Sequence, residues 1–262
     1  MHILLDPYTK KINKTNKDYL EISMISSNDT VVDLTSSYFG LNPYLNDIKD
    51  YPKDSSGDYL TLLAQINLAT VQPYILKAMG LPASGLLQFF ISEYSELFGM
   101  DYDNLNTPNG FRVNYIKNIS TEKNSYVTNF SFVHKKKPSN PFFEVNKVNK
   151  MQFTPKQMPI TTTDYLFDST LPDLSSEKNS TNYDAYDQMV VKGGIRLGGY
   201  PYFIQQDPRL DEKYKDYVLL FQVDSMEGKW TWGSMGVATF MIHPDDLKAL
   251  NFSHVVFYWD CG

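Results

Sequence analysis

Cysteine occurs once in these 262 residues, at Cys261. That excludes an internal disulfide framework and any zinc site built from cysteine pairs. Histidine is scarce too, at His2, His134, His243 and His254. None of these stand at i, i+4 spacing, and no HExxH-type site exists. Positive charge is in deficit, with 24 Lys and Arg against 30 Asp and Glu, a formal net charge of −6. A broad nucleic-acid surface needs a positive field over its binding face, so no nucleic-acid partner is expected. No apolar run approaches the roughly 18 residues of a membrane helix. The opening MHILLDPYTKKINK lacks the apolar core and cleavage site of a signal peptide. A cytoplasmic location without membrane association is the expectation.

Also missing are the loops that cradle phosphate. The segments LGGYP and VKGGIRLGG contain glycine, but no G-x-G-x-x-G or G-x-x-x-x-G-K-[ST] leads from a strand into a helix. Ser84-Gly85 and Gly233-Ser234 lack the G-x-S-x-G context of a nucleophile elbow. No catalytic constellation is recognisable, and neither a cofactor nor a metal is expected.

What the chain does have is apolar and aromatic residues, 42% and 15%, enough for a sizeable core. One large domain or two tightly joined halves both suit the length. Blocks of the second half recur in the first. Gly40 falls on Gly198, Pro43 on Pro201, Tyr44 on Tyr202 and Tyr59 on Tyr217. Residues 62–67 (LLAQIN, with Leu63 second) fall on 219–224, Gly85 on Gly236, Phe89 on Phe240 and Ile91 on Ile242. Val113 and Tyr115 then fall on Val256 and Tyr258. This order at nearly constant spacing points to an internal duplication.

Most blocks read as strands: 60–66, 86–91, 218–223, 237–242 and 254–259, with 19–25, 30–34 and 126–133 besides. Short helices are expected at 93–98, 182–191 and 245–250. The Gln inside each of the runs 60–66 and 218–223 must find hydrogen-bond partners if buried. The Lys135-Lys136-Lys137 run reads as a solvated loop. The predicted architecture is α+β, a single domain over 1–262 with largely antiparallel sheet. It has two pseudo-twofold halves, about 19–130 and 150–262, in one body.

The blocks GGYPYF-x-QQDPR, LLFQVDS, WGSMGVATFMI and FYWDC, with LLAQIN, GLLQFFI and FGMDYDN in the first half, resemble the YwqG-like family of bacterial proteins. The resemblance covers about 19–262. GLNPY at Gly40 departs from the family's GGxPY, and the middle matches loosely except around PITTTDYLF. The family has no established activity, so the resemblance implies a fold and a bacterial cytosolic setting. Its genes tend to lie near polymorphic toxin genes, which implies an immunity role.

Features confined to the second copy are the candidates for function. Gln205, Asp207 and Arg209 lie in the QQDPR loop, where Asp-Pro-Arg joins an acceptor to a bidentate donor. They suit a carboxylate, phosphate or amide of a partner, or a loop pinned by its own ion pair. Trp230 and Trp232 suit an interface anchor or a lid on the sheet. Asp224 and Asp260 suit general acid–base work or a divalent ion if their strands are neighbours, or else strand-end caps. The leading functional reading is a protein-binding module, an immunity protein neutralising a basic toxin encoded nearby. The alternative is an enzyme or small-ligand binder with a pocket between the halves, where Asp207, Arg209, Asp224, Trp232 and Asp260 converge.

Overall fold

The computed structural model describes residues 3–27, 33–133 and 148–262. Runs of β-branched and aromatic residues form strands β1 (Lys17–Ser27), β2 (Tyr38–Phe39), β3 (Thr61–Asn67), β4 (Leu86–Ile91) and β5 (Phe111–Ile116). They are followed by β6 (Val148–Met158), β7 (Ile195–Gly198), β8 (Val218–Asp224), β9 (Val237–Ile242) and β10 (Val256–Asp260). The helices are short: α1 (Thr9–Asn13), α2 (Pro73–Ala78), α3 (Phe167–Thr170), α4 (Ser180–Met189) and α5 (Pro244–Lys248). The strands join in one sheet, ordered β10-β9-β8-β7-β1-β6-β2-β3-β4-β5. Every pairing in it is antiparallel.

The two ends of that order meet across the interior. Phe111 on β5 packs on Phe257 on β10 at 5.3 Å between ring centroids, which requires the sheet to curl round on itself. It forms a nearly closed barrel. Inside, Phe89 on β4 lies 4.4 Å from Phe221 on β8, and Phe240 on β9 lies 4.7 Å from Phe257. Alternation sends Phe89 inward and Gln88 to the outer face, as a period of two demands.

This overturns the expectation of an α+β fold in two pseudo-twofold halves. At the middle of the sheet β1 and β6 pair from Lys17↔Met158 to Ser27↔Val148, so the hydrogen-bond ladder has no break there. The interior aromatic cluster also draws on strands from both sides of that pair. The matched blocks are stretches of one wall. Comparing block with block cannot reveal which strands join, and β6 went unpredicted because Asn149, Lys150, Gln152 and Pro155 dilute its apolar alternation.

Several smaller expectations change as well. Residues 93–98 make successive turns, with Ser95 N–H donating to Ser92 O and Phe98 N–H to Ser95 O, and Phe98 at φ 53° ends any helical course. Residues 126–133 form no strand. The lysine run at 135–137 and most of the predicted strand 30–34 lie outside the described residues.

Candidate functional site

The outer face of the barrel carries the polar ends of β8 and β10, while Trp230 and Trp232 belong to the interior cluster. Gln222 on β8 is fully buried. Its Oε1 accepts from Tyr202 N–H at 2.9 Å and its Nε2 donates to Gly194 O at 3.1 Å. Gln65 on β3 does the same work farther round the same outer face. Its Oε1 accepts from Tyr44 N–H at 2.9 Å, while its Nε2 donates to Leu34 O and Ser36 O. Each glutamine therefore fastens a Pro-Tyr loop to the barrel wall, meeting the requirement that a buried amide be satisfied.

The loop after Tyr202 is held by Asp260 at the end of β10. Its carboxylate accepts from Ile204 N–H at 3.1 Å and from Gln205 N–H at 2.8 Å. Burial raises the Asp260 pKa above the ordinary value, and the backbone donors and the Tyr258 hydroxyl only partly oppose it. Gln205 itself is exposed, and its Nε2 donates to Cys261 O at 2.7 Å. Beyond it, Asp207 caps the short 3-10 helix Pro208–Leu210 by accepting from Arg209 N–H.

Arg209 is buried between two carboxylates. Its Nη2 donates to Asp164 Oδ2 at 2.8 Å and to Asp207 Oδ2 at 2.6 Å, its Nε to Asp207 Oδ1 at 3.0 Å, and its Nη1 to Tyr217 O at 3.3 Å. Burial alone would weaken its charge, but the hydrogen bonds and fields of Asp207 and Asp164 outweigh that and raise its pKa. Asp164, which the composition of the QQDPR loop gives no hint of, comes from PITTTDYLF. That segment stood out in the sequence for its resemblance alone.

Asp224 and Asp260 both face Val237, one from each side of β9. Two strand spacings, about 9–10 Å, therefore separate their backbones. Asp224 accepts from Gly194 N–H at 2.7 Å, and burial raises its pKa. The strand-end cap is what the geometry supplies in both cases. Trp230 and Trp232 are buried at 4% and 0% exposure. Trp230 packs on Phe39 at 5.3 Å, and Trp232 packs edge-on against Phe98 at 5.1 Å. Arg209, Asp207 and both tryptophans thus lie beneath the surface, and of the candidates only Gln205 is exposed. Among the described residues no group of His, Cys, Asp and Glu could hold a metal ion.

A model for a domain of unknown function, DUF1963, matches residues 37–261. The chain belongs to the DUF1963 family. No curated protein matches it. Among the described residues no helix is long and apolar enough to cross a membrane.

What the DUF1963 barrel leaves open is its seam. At β10 the outer edge is covered: Phe257 N–H donates to Leu105 O at 2.9 Å and Trp259 N–H to Met100 Sδ at 3.3 Å. At β5 the outer edge receives no backbone partner among the described residues. A groove of about 400 Å³ runs beside it. Leu250 and Phe252, from the interior cluster, form one wall; Leu45, Asn46 and Asp50 form the other. Arg112 is tied by Nη2 to Pro108 O at 3.2 Å, and no cation among the described residues pairs with Asp50. Nothing in the local sequence FRVNYI distinguishes an edge strand from a central one, so this feature escaped sequence reasoning.

Proposed function

We propose that this domain is a protein-binding module that takes an extended segment of its partner as an added strand along β5. The observation that carries the reading is the bare outer edge of β5, set at the floor of a two-walled groove. An exposed strand edge offers a row of main-chain donors and acceptors, and flanking pockets select alternate side chains. Here the apolar wall at Leu250 and Phe252 favours apolar residues at every second position. The opposite wall, with Asp50 and the overall charge of −6, favours basic ones between them.

The YwqG-like resemblance belongs to the same reading, and extends it to an immunity protein whose basic toxin is encoded nearby. The rival reading, a catalytic or ligand pocket made by Asp207, Arg209, Asp224, Trp232 and Asp260, draws less support. Those carboxylates and the guanidinium are already bonded to the protein's own backbone and side chains. Co-expression with the product of the neighbouring gene tests the proposal. A co-purifying complex, weakened by Ile116→Lys and by Asp50→Lys, is expected. Absence of a complex, or one indifferent to both substitutions, contradicts it.

A further inference from the structure

A second opening lies at the mouth of the barrel and shares no residue with the groove beside β5. There α2 and α5 stand over the start of β1, the end of β7 and the start of β8. Between them is a cavity of about 390 Å³. Its size falls within the range that binds small molecules. Met79, Leu81, Leu219 and Leu247 supply apolar walls. Gly198 and Gly199 form part of the rim with bare backbone at φ 73° and 76°. A Cβ on Gly198 would stand 2.9 Å from Met79 Sδ, so a side chain there would crowd the Met79 wall.

The sign of charge in this hollow follows from the pleat of β1, whose successive side chains face opposite sides of the sheet. Leu20 and Ile22 belong to the interior cluster, whereas Tyr19 packs in a separate cluster with Met158 and Tyr200. Asp18 therefore turns to the interior side with Leu20 and Ile22, toward the cavity it lines. Lys17 turns the other way, its ammonium 4.0 Å from the Tyr200 ring centroid. Asp18 Oδ1 accepts from Gln157 Nε2 at 2.8 Å. That donor is neutral, so the negative charge stays uncancelled, and a carboxylate keeps further acceptor sites beyond one hydrogen bond. Lys156 on β6 is bonded to Glu21 at 2.7 Å, and no cation among the described residues pairs with Asp18. An apolar hollow with one uncancelled carboxylate on its wall matches a ligand that has an apolar body and a single positive end.

We infer that the barrel mouth binds a small aliphatic primary amine, its ammonium on Asp18 and its chain against Leu81, Leu219 and Leu247. The ammonium would donate to the acceptor sites that Gln157 leaves open, and the chain would remove apolar wall from solvent.

Calorimetric titration of the intact protein with hexylamine and, separately, with hexanoate provides the test. Hexylamine is expected to bind and hexanoate not to. Butylamine should bind roughly tenfold more weakly than hexylamine, the worth of two buried methylenes. Asp18→Asn keeps the shape and the acceptor for Gln157 while removing the charge, and should weaken hexylamine by roughly tenfold, the worth of a hydrogen bond to a charged group. Asp103→Asn removes the same charge from an exposed loop position and should leave the affinity unchanged. No binding of hexylamine, equal binding of hexanoate, equal binding of butylamine, affinity untouched by Asp18→Asn, or an equal loss with Asp103→Asn overturns the inference.

Discussion

Arg209 shows what a buried charge does in this protein. It sits at 5% exposure between Asp164 and Asp207, so removing it leaves two buried carboxylates facing each other without a cation. Arg209→Ala is expected to destabilise the fold by about 3–5 kcal/mol, the cost of breaking a buried ion pair from one side. A urea denaturation midpoint that stays at the wild-type value would contradict this. Asp260 behaves differently, because burial raises its folded-state pKa above the ordinary 3.8. The folded protein then holds this proton to higher pH than the unfolded chain does. Its contribution to stability is fully present below pH 3.8 and is lost as pH rises through the folded-state value. Asp260→Asn should flatten that decline in a series of thermal melts across the acid range; an unchanged slope would refute the assignment. At this scale the sequence was partly legible. The need for partners at Gln65 and Gln222 follows from placing an amide in an apolar run. The identity of those partners, like that of Asp164, depends on contacts twenty or more residues apart in the chain.

Among the elements, strands were easier to read than their neighbours. β3, β4, β8 and β9 announce themselves as apolar runs of strand length, and both β3 and β8 shift register within the run, between Leu62 and Ala64 and between Leu219 and Phe221. The last matched block is less faithful. Gln88 faces Asn114 on β5, whereas Thr239 faces Tyr258 on β10. Asn114, rather than Tyr115, therefore stands where Tyr258 does. A one-residue slip exchanges the two faces of a strand, and similarity of residue types cannot detect it. The loop that covers β10 is fixed by a crossing of two backbones: a Cβ on Gly110 would lie 2.4 Å from Gly99 Cα. Gly110→Ala should push this crossing apart, cost about 1–3 kcal/mol as overpacking does, and expose the amides of Phe257 and Trp259 to faster hydrogen exchange. Unchanged exchange at those two amides would show that the crossing does not hold the loop.

At the scale of the whole molecule, one curled sheet explains why its two edges differ. Segment 97–105 occupies the seam beside β10, through Leu97, Met100 and Leu105, and the remaining width of the seam is the groove beside β5. Nothing local in the sequence encodes this, since it depends on the sheet closing far enough for Phe111 to reach Phe257 but not far enough for β5 to pair with β10. The position of the groove, not the polar residues of the C-terminal part of the chain, directs attention to strand addition. Amide hydrogen exchange of residues 111–116, measured on the free protein and on its complex with the co-expressed partner, tests that claim most directly. The outward-facing amides of β5 are expected to exchange quickly in the free protein and to become protected in the complex, while those of Phe257 and Trp259 are protected in both. Unchanged exchange along β5 in a stable complex, with protection appearing elsewhere, would contradict it.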